Sequence, residues 1–199
     1  MSVQRRALFA GGAGVLAGAL AASALDTRPA EAHPEHTPIP NTEVFDQDGQ
    51  RFSFYDDLAR DKVIMINFFF QSCGDTCPLT TQNLRLVQDL LGDRVGRDIF
   101  MYTITLQPEF DTPPMLKEYA RLWDVRPGWR FLTGAPRDIE HLRKGLGFAS
   151  ADPVSDLILD NHTGIVRYGN DRLDRWAGVP GLARAAWIAQ AVGHLASMG

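Results

Sequence analysis

Residues 63–78, VIMINFFFQSCGDTCP, constrain this chain more than any other stretch. Val63 to Phe70 form a short apolar run, aromatic and β-branched, interrupted only by Asn67. Such a run without polar alternation predicts a strand buried on both faces. Gln71 and Ser72 leave the strand, Gly74 permits a tight turn, and Cys73 and Cys77 frame it. Pro78 disfavours the helical region for Cys77, so the spacing predicts a helix whose first residue is Pro78, with Cys77 just outside. Both sulfurs then lie near the positive end of that helix, where a thiolate is favoured over a thiol.

These are the only two cysteines among the 199 residues, and their chemistry depends on compartment. Arg5 and Arg6 precede an Ala/Gly/Leu/Val-rich stretch from Ala7 to Leu25, and Ala30-Glu31-Ala32 is a small-residue cleavage signal. Residues 1–32 therefore read as an export signal, with an uncleaved membrane tether through residues 7–25 as the rival reading, since ~20 apolar residues span a bilayer. The paired arginines point to the twin-arginine route, which Leu8 and Phe9 match loosely. The destination is then the periplasm, with or without an inner-membrane anchor. There, two cysteines are a disulfide, a redox pair or metal ligands. Residues 33–40 form a Pro-rich linker in which His33 and His36 read as solvated rather than ligating.

Residues 41–199 suit one domain with a proper core. The chain carries −4, and because residues 1–32 hold three basic and two acidic groups, the remainder carries −5. That balance argues against nucleic acid as a partner. Asp48-Gly49 is the turn of a hairpin from Val44 to Phe52, and Phe54, Tyr55 and Leu58 make a helical turn. Helices are expected from Pro78 to a stop at Gly92, from Pro113 to Trp123 (with Met115, Leu116, Tyr119 and Leu122 on one face), from Pro136 to Leu146 and from Gly181 to Met198. Strands are expected over 99–106, 129–132 and 165–168, with Leu157–Leu159 as a further candidate. Alternating strands and helices predict an α/β layer fold with a mainly parallel centre, and a dithiol ending a central strand and opening a helix is the thioredoxin-like arrangement.

Thioredoxin-type redox enzymes place two residues between their cysteines; here there are three, Gly74, Asp75 and Thr76. A helical offset of four residues leaves Cα atoms roughly 6 Å apart, near the upper end of what a disulfide accepts. Soft thiolates at this spacing suit Cu(I) or Zn, which tilts the site toward metal without excluding redox cycling.

With Phe68–Pro78 (FFFQSCGDTCP) and Ile104–Tyr119 (ITLQPEFDTPPMLKEY), the chain resembles the Sco/SenC family over most of residues 41–199. The resemblance implies an exported, often membrane-tethered thioredoxin-like protein. It binds one copper ion and helps metallate the CuA centre of cytochrome c oxidase. Its partners are the oxidase copper subunit or another copper chaperone, together with a thiol reductant. The implied ligands are Cys73, Cys77 and a downstream histidine, and a Cys73–Cys77 disulfide is the oxidised form. Gly74 stands where the family usually has proline, and Gln107 and Phe110 replace its usual acidic and basic residues.

Asn161-His162-Thr163 before Ile165-Val166 matches the family's histidine context, so His162 is the candidate third ligand. In a competing register Leu157–Asp160 is the strand and residues 161–164 its turn, which puts Asp152 in the ligand place. His141 and His194 read as helix-surface residues. Beside the copper chaperone stands a second reading, a thiol–disulfide oxidoreductase without stable metal binding, for which Asp75 is the nearby acid–base candidate. A peroxidase is disfavoured because Phe70, not a hydroxyl residue, lies three before Cys73. A purely stabilising disulfide would close too small a loop to contribute much.

Overall fold

The computed structural model describes residues 39–198. The proposed signal and tether, His33, His36 and all but the last two linker residues lie outside them. Among the described residues no helix is long and apolar enough to cross a membrane.

The chain forms β1 (Glu43–Asp46), β2 (Arg51–Ser53), a π-helical turn (Phe54–Ala59), β3 (Val63–Phe69), α1 (Thr76–Leu91) and β4 (Ile99–Thr105). There follow α2 (Pro113–Leu122), β5 (Trp129–Thr133), α3 (Pro136–Gly145), α4 (Pro153–Asp156), β6 (Ile165–Asn170), β7 (Arg175–Pro180) and α5 (Ala185–Ala196). One seven-stranded sheet runs β2-β1-β5-β4-β3-β6-β7. Its centre, β5-β4-β3, is parallel, while the flanking pairs β1–β5 and β3–β6 are antiparallel. The expected α/β thioredoxin-like fold is the fold observed.

Strand β3 is buried at every position, as its unalternating sequence requires. Met65 and Phe69 face a core shared with α1, α2 and α5; Ile64, Ile66 and Phe68 face a second core under the π-helical turn and α3. Both cysteines belong to the first core. Asn67, the one polar residue in the run, is satisfied by the Thr103 hydroxyl at 2.7 Å, and Thr103 in turn accepts from the Trp129 indole at 2.9 Å.

Four local expectations are corrected. Helix α1 begins at Thr76, so Cys77 is inside it and Pro78 is its third residue; a proline in a first turn removes no intrahelical bond. In α2 the core face is Leu116, Tyr119 and Ala120, while Met115 and Leu122 flank it in solvent. Leu157–Leu159 is not a strand; a 3-10 turn, Leu159–His162, occupies that stretch. The strand after β6 is instead β7, whose Gly and Pro content hid it, and a left-handed Asp174 leads into it.

Candidate metal centre

Strand β3 ends at Phe69, and the chain turns across the C-terminal end of the parallel centre before α1 begins. The Cys73 amide donates to the Phe70 carbonyl at 3.1 Å, which closes the turn. The Cys77 amide, one of the unpaired first-turn donors of α1, donates to the Cys73 sulfur at 3.4 Å. Both cysteines are free and buried. Two soft sulfurs, one on the loop before α1 and one in its first turn, are a donor set that fits a soft metal ion.

The helix end does not lower the Cys77 thiol, contrary to the sequence expectation. Burial pushes it up to about 12, reinforced by its hydrogen bond to Cys73. Desolvation of a nearly enclosed sulfur outweighs a partial helix charge. The Thr163 side chain lies beside Cys77 and acts in the opposite sense.

Thr163 brings the downstream segment to the dithiol. Gly164, at φ +79°, packs against Thr76 at the start of α1, and its carbonyl accepts from the Gly181 amide at 2.7 Å. Leu159 packs on the core that contains both cysteines. The turn that carries His162 is therefore anchored at the mouth of the site.

The His162 ring is engaged elsewhere. It is buried, with Nδ1 at 3.1 Å and Nε2 at 3.2 Å from Arg143 Nη1, and Nε2 at 2.8 Å from the Asp156 carbonyl. Among the described residues no group of three His, Cys, Asp or Glu side chains is assembled for a metal ion. Cys73 and Cys77 come together as expected; His162 does not join them. Asp152 is no substitute: it caps α4, accepting from the Ser155 amide at 3.0 Å and its hydroxyl at 2.6 Å. His141 and His194 are exposed on α3 and α5, as read from sequence. Asp75 precedes α1 without a side-chain capping bond.

Arg143 is the residue the sequence reading missed. It is buried on α3 and binds Glu140 at 2.8 and 2.9 Å, Asp156 at 2.9 and 2.8 Å, and the Phe148 carbonyl at 3.0 Å. Its guanidinium holds the Asp156 carboxyl well below the usual carboxylate range and lowers Glu140 as well. Only the Glu140/Arg143 spacing on one helix was a local signal; the pairing with Asp156 and His162 is tertiary.

On the other side of the mouth, Gln71, Ser72, Gln107, Phe110, Asp111 and Met115 line an open cleft of about 630 Å³. Phe110 is 71% exposed there. Asp111 is buried behind it, where its carboxylate accepts from Thr105 and from the Gln71 amide. Burial raises its pKa.

Residues 34–166 match the family model described as SCO1/SenC. A Stutzerimonas stutzeri protein whose name describes it as copper-binding is 32% identical over 114 residues, 57% of this chain and 54% of that one. A SCO2-like protein of Rickettsia prowazekii is 34% identical over 98 residues, 49% of this chain and 45% of that one. The chain thus spans about half the length of the curated relatives it matches. Among solved structures, Arabidopsis thaliana ScoI with copper bound superposes with a TM-score of 0.62 at 20% identity, covering 79% of this chain and 97% of that one. BsSco, described as having a disulfide switch and as a member of the Sco family of cytochrome c oxidase assembly proteins, gives 0.63 at 22%, covering 81% and 94%. At those identities the likeness is one of fold.

Proposed function

Since this chain belongs to the SCO1/SenC family, we propose that it is an exported metallochaperone that carries one copper ion on Cys73 and Cys77, with His162 as third ligand. Its recipient is the CuA site of cytochrome c oxidase, reached directly or through another copper chaperone. The dithiol must be reduced first, because a Cys73–Cys77 disulfide offers no thiolates. Periplasmic placement, with or without a tether through residues 7–25, follows from the leader read at residues 1–32 and suits a protein that needs an external thiol reductant.

One observation carries this reading. Two free thiols, Cys73 just before α1 and Cys77 in its first turn, are linked by the Cys77 amide to the Cys73 sulfur, beside the turn that bears His162 and Thr163. Two thiolates and an imidazole satisfy copper in either oxidation state. Three ligands at a mouth leave room for a recipient to supply the next one. The exposed Phe110 and the cleft beside it offer an apolar rim for such a recipient.

A second reading, a thiol–disulfide oxidoreductase, is favoured by one feature, the His162 ring bound to Arg143 rather than to the dithiol. Anaerobic Cu(I) titration of the reduced chain, wild type against His162→Ala, separates the two. One equivalent bound, with affinity falling sharply in the variant, supports the chaperone with its third ligand. Unchanged affinity removes His162 from the site. No uptake, with fast turnover of a disulfide substrate, assigns the oxidoreductase.

A further inference from the structure

The dithiol is nearly closed to solvent, with Cys73 7% and Cys77 2% exposed. An incoming ion therefore meets the rim of the site before it meets either sulfur. That rim carries a third soft donor. Met115, in the first turn of α2, is 47% exposed and lines the cleft together with Gln71 and Ser72, the two residues that lead into Cys73. The Gln71 side-chain amide donates to the Met115 carbonyl at 3.1 Å, which ties the start of α2 to the cysteine-bearing turn. Cys73 lies two residues further on, no more than ~7 Å along the backbone from Gln71.

Among the described residues the other methionines are placed differently. Met65 and Met101 are in the core, and the exposed Met198 presents its sulfur to Arg175 Nη1 at 3.6 Å. The oxygens of the cleft are engaged. Ser72 Oγ donates to Gln107 Oε1 at 2.9 Å, and the carboxylate of Asp111, 2% exposed, accepts from Thr105 and the Gln71 amide. The cleft thus turns the Met115 and Phe110 side chains to solvent and keeps its carboxylate inside, a lining that suits a soft cation and not a hard one.

We propose that Met115 is a staging ligand for Cu(I): its thioether takes the ion at the rim and passes it to Cys73. The proposal rests on the chaperone reading above. The hand-over is ligand exchange with no change of oxidation state. The bond from the delivering molecule to Cu(I) breaks as the bond to Met115 Sδ forms. A bond to Cys73 Sγ then replaces it, and the thiol proton leaves to water. A thioether has no proton to lose, so capture does not wait on ionisation. It is also a weaker donor than a thiolate, so the ion moves inward to the cysteines.

The test uses the reduced full chain under anaerobic conditions. Leucine keeps the volume and helix preference of methionine but has no sulfur. Stopped-flow loading with the Cu(I)–acetonitrile complex should slow about tenfold in Met115→Leu, the scale of one lost ligand contact in the capture step. Cu(I) affinity by chelator competition should stay within about twofold of wild type. Met198→Leu should load at the wild-type rate. Unchanged loading in Met115→Leu, equal slowing in both variants, or affinity that falls with the rate overturns the staging role. Carbon-13 NMR of the methionine methyl groups reads capture directly. In the chain carrying Cys73→Ser and Cys77→Ser, Ag(I) should shift the Met115 methyl signal before that of Met198. No shift at Met115, or parallel shifts at both, overturns the proposal. Failure of the wild type to take up Cu(I) overturns the chaperone reading and the hand-over together, whereas a dithiol that fills at full speed without Met115 overturns the hand-over alone.

Discussion

The Cys77 amide donates to the Cys73 sulfur across 3.4 Å, while Cys77 is 2% exposed and its thiol pushed up to about 12. The pair is geometrically unequal: the Cys73 sulfur accepts a main-chain hydrogen bond, and Cys73 is the more accessible of the two residues.

That inequality predicts the order of reaction and its pH dependence. Cys73, 7% exposed, should be alkylated well before Cys77 at pH 8, as read by peptide mass spectrometry. A metal binds the thiolate, so Cys77 must give up a proton that it holds throughout the neutral range. Apparent Cu(I) affinity should rise about tenfold per pH unit from pH 6 to 9 on this account alone, and uptake should release protons. Affinity that stays flat over that range would show that the Cys77 proton is not displaced.

Thr103→Val should destabilise the domain by about 2–6 kcal/mol. The hydroxyl both donates to Asn67 and accepts from the Trp129 indole, so its loss strands two buried polar atoms at about 1–3 kcal/mol each. Urea unfolding measures this. A cost under half a kcal/mol would mean that water or a side-chain rearrangement rescues them.

Gly128→Ala should cost roughly 2 kcal/mol or more. Gly128 has φ +92°, and a Cβ there would lie 2.5 Å from the Gly96 amide nitrogen and 2.6 Å from the Val95 carbonyl carbon. Both obstacles are backbone and cannot rotate away. Gly49→Ala, at φ +77° but with nothing within 4 Å of its Cβ, isolates the dihedral strain and should cost less in the same unfolding assay.

Asp111→Asn should flatten the stability profile between pH 4 and 7. Burial raises the Asp111 pKa in the folded chain. A raised carboxyl favours folding below its unfolded pKa of about 3.9, and that contribution fades as pH rises through the folded value. The amide oxygen can still accept from the Gln71 amide and the Thr105 hydroxyl without the charge. The variant should therefore gain on wild type as pH rises, by urea midpoint. An equal offset at pH 4 and pH 7 would assign the effect to packing.

The parts of the fold that were legible were those with local causes. Val63–Phe69 announced a central strand by composition, Asp48-Gly49 a hairpin, Gly92 a helix stop and Pro136 a helix start, and each stands where expected. The start of α1 was misplaced by two residues because proline is tolerated anywhere in a first turn. Leu157–Leu159 misled because an apolar triplet has no period long enough to separate a strand from a turn. Arg167 of β6 is half-buried and donates to the Leu146 carbonyl, a contact that no local pattern marks.

By itself the sequence determined that two sulfurs would end a buried strand and open a helix, because strand composition, turn residues and cysteine spacing all act within a few positions. Only the tertiary structure decided what those sulfurs and their candidate partner experience. Cys77 is raised by a core assembled from α1, α2 and α5, and His162 is held by an arginine nineteen residues earlier. Desolvation and hydrogen-bond competition depend on which distant atoms close around a group, and no local pattern records them.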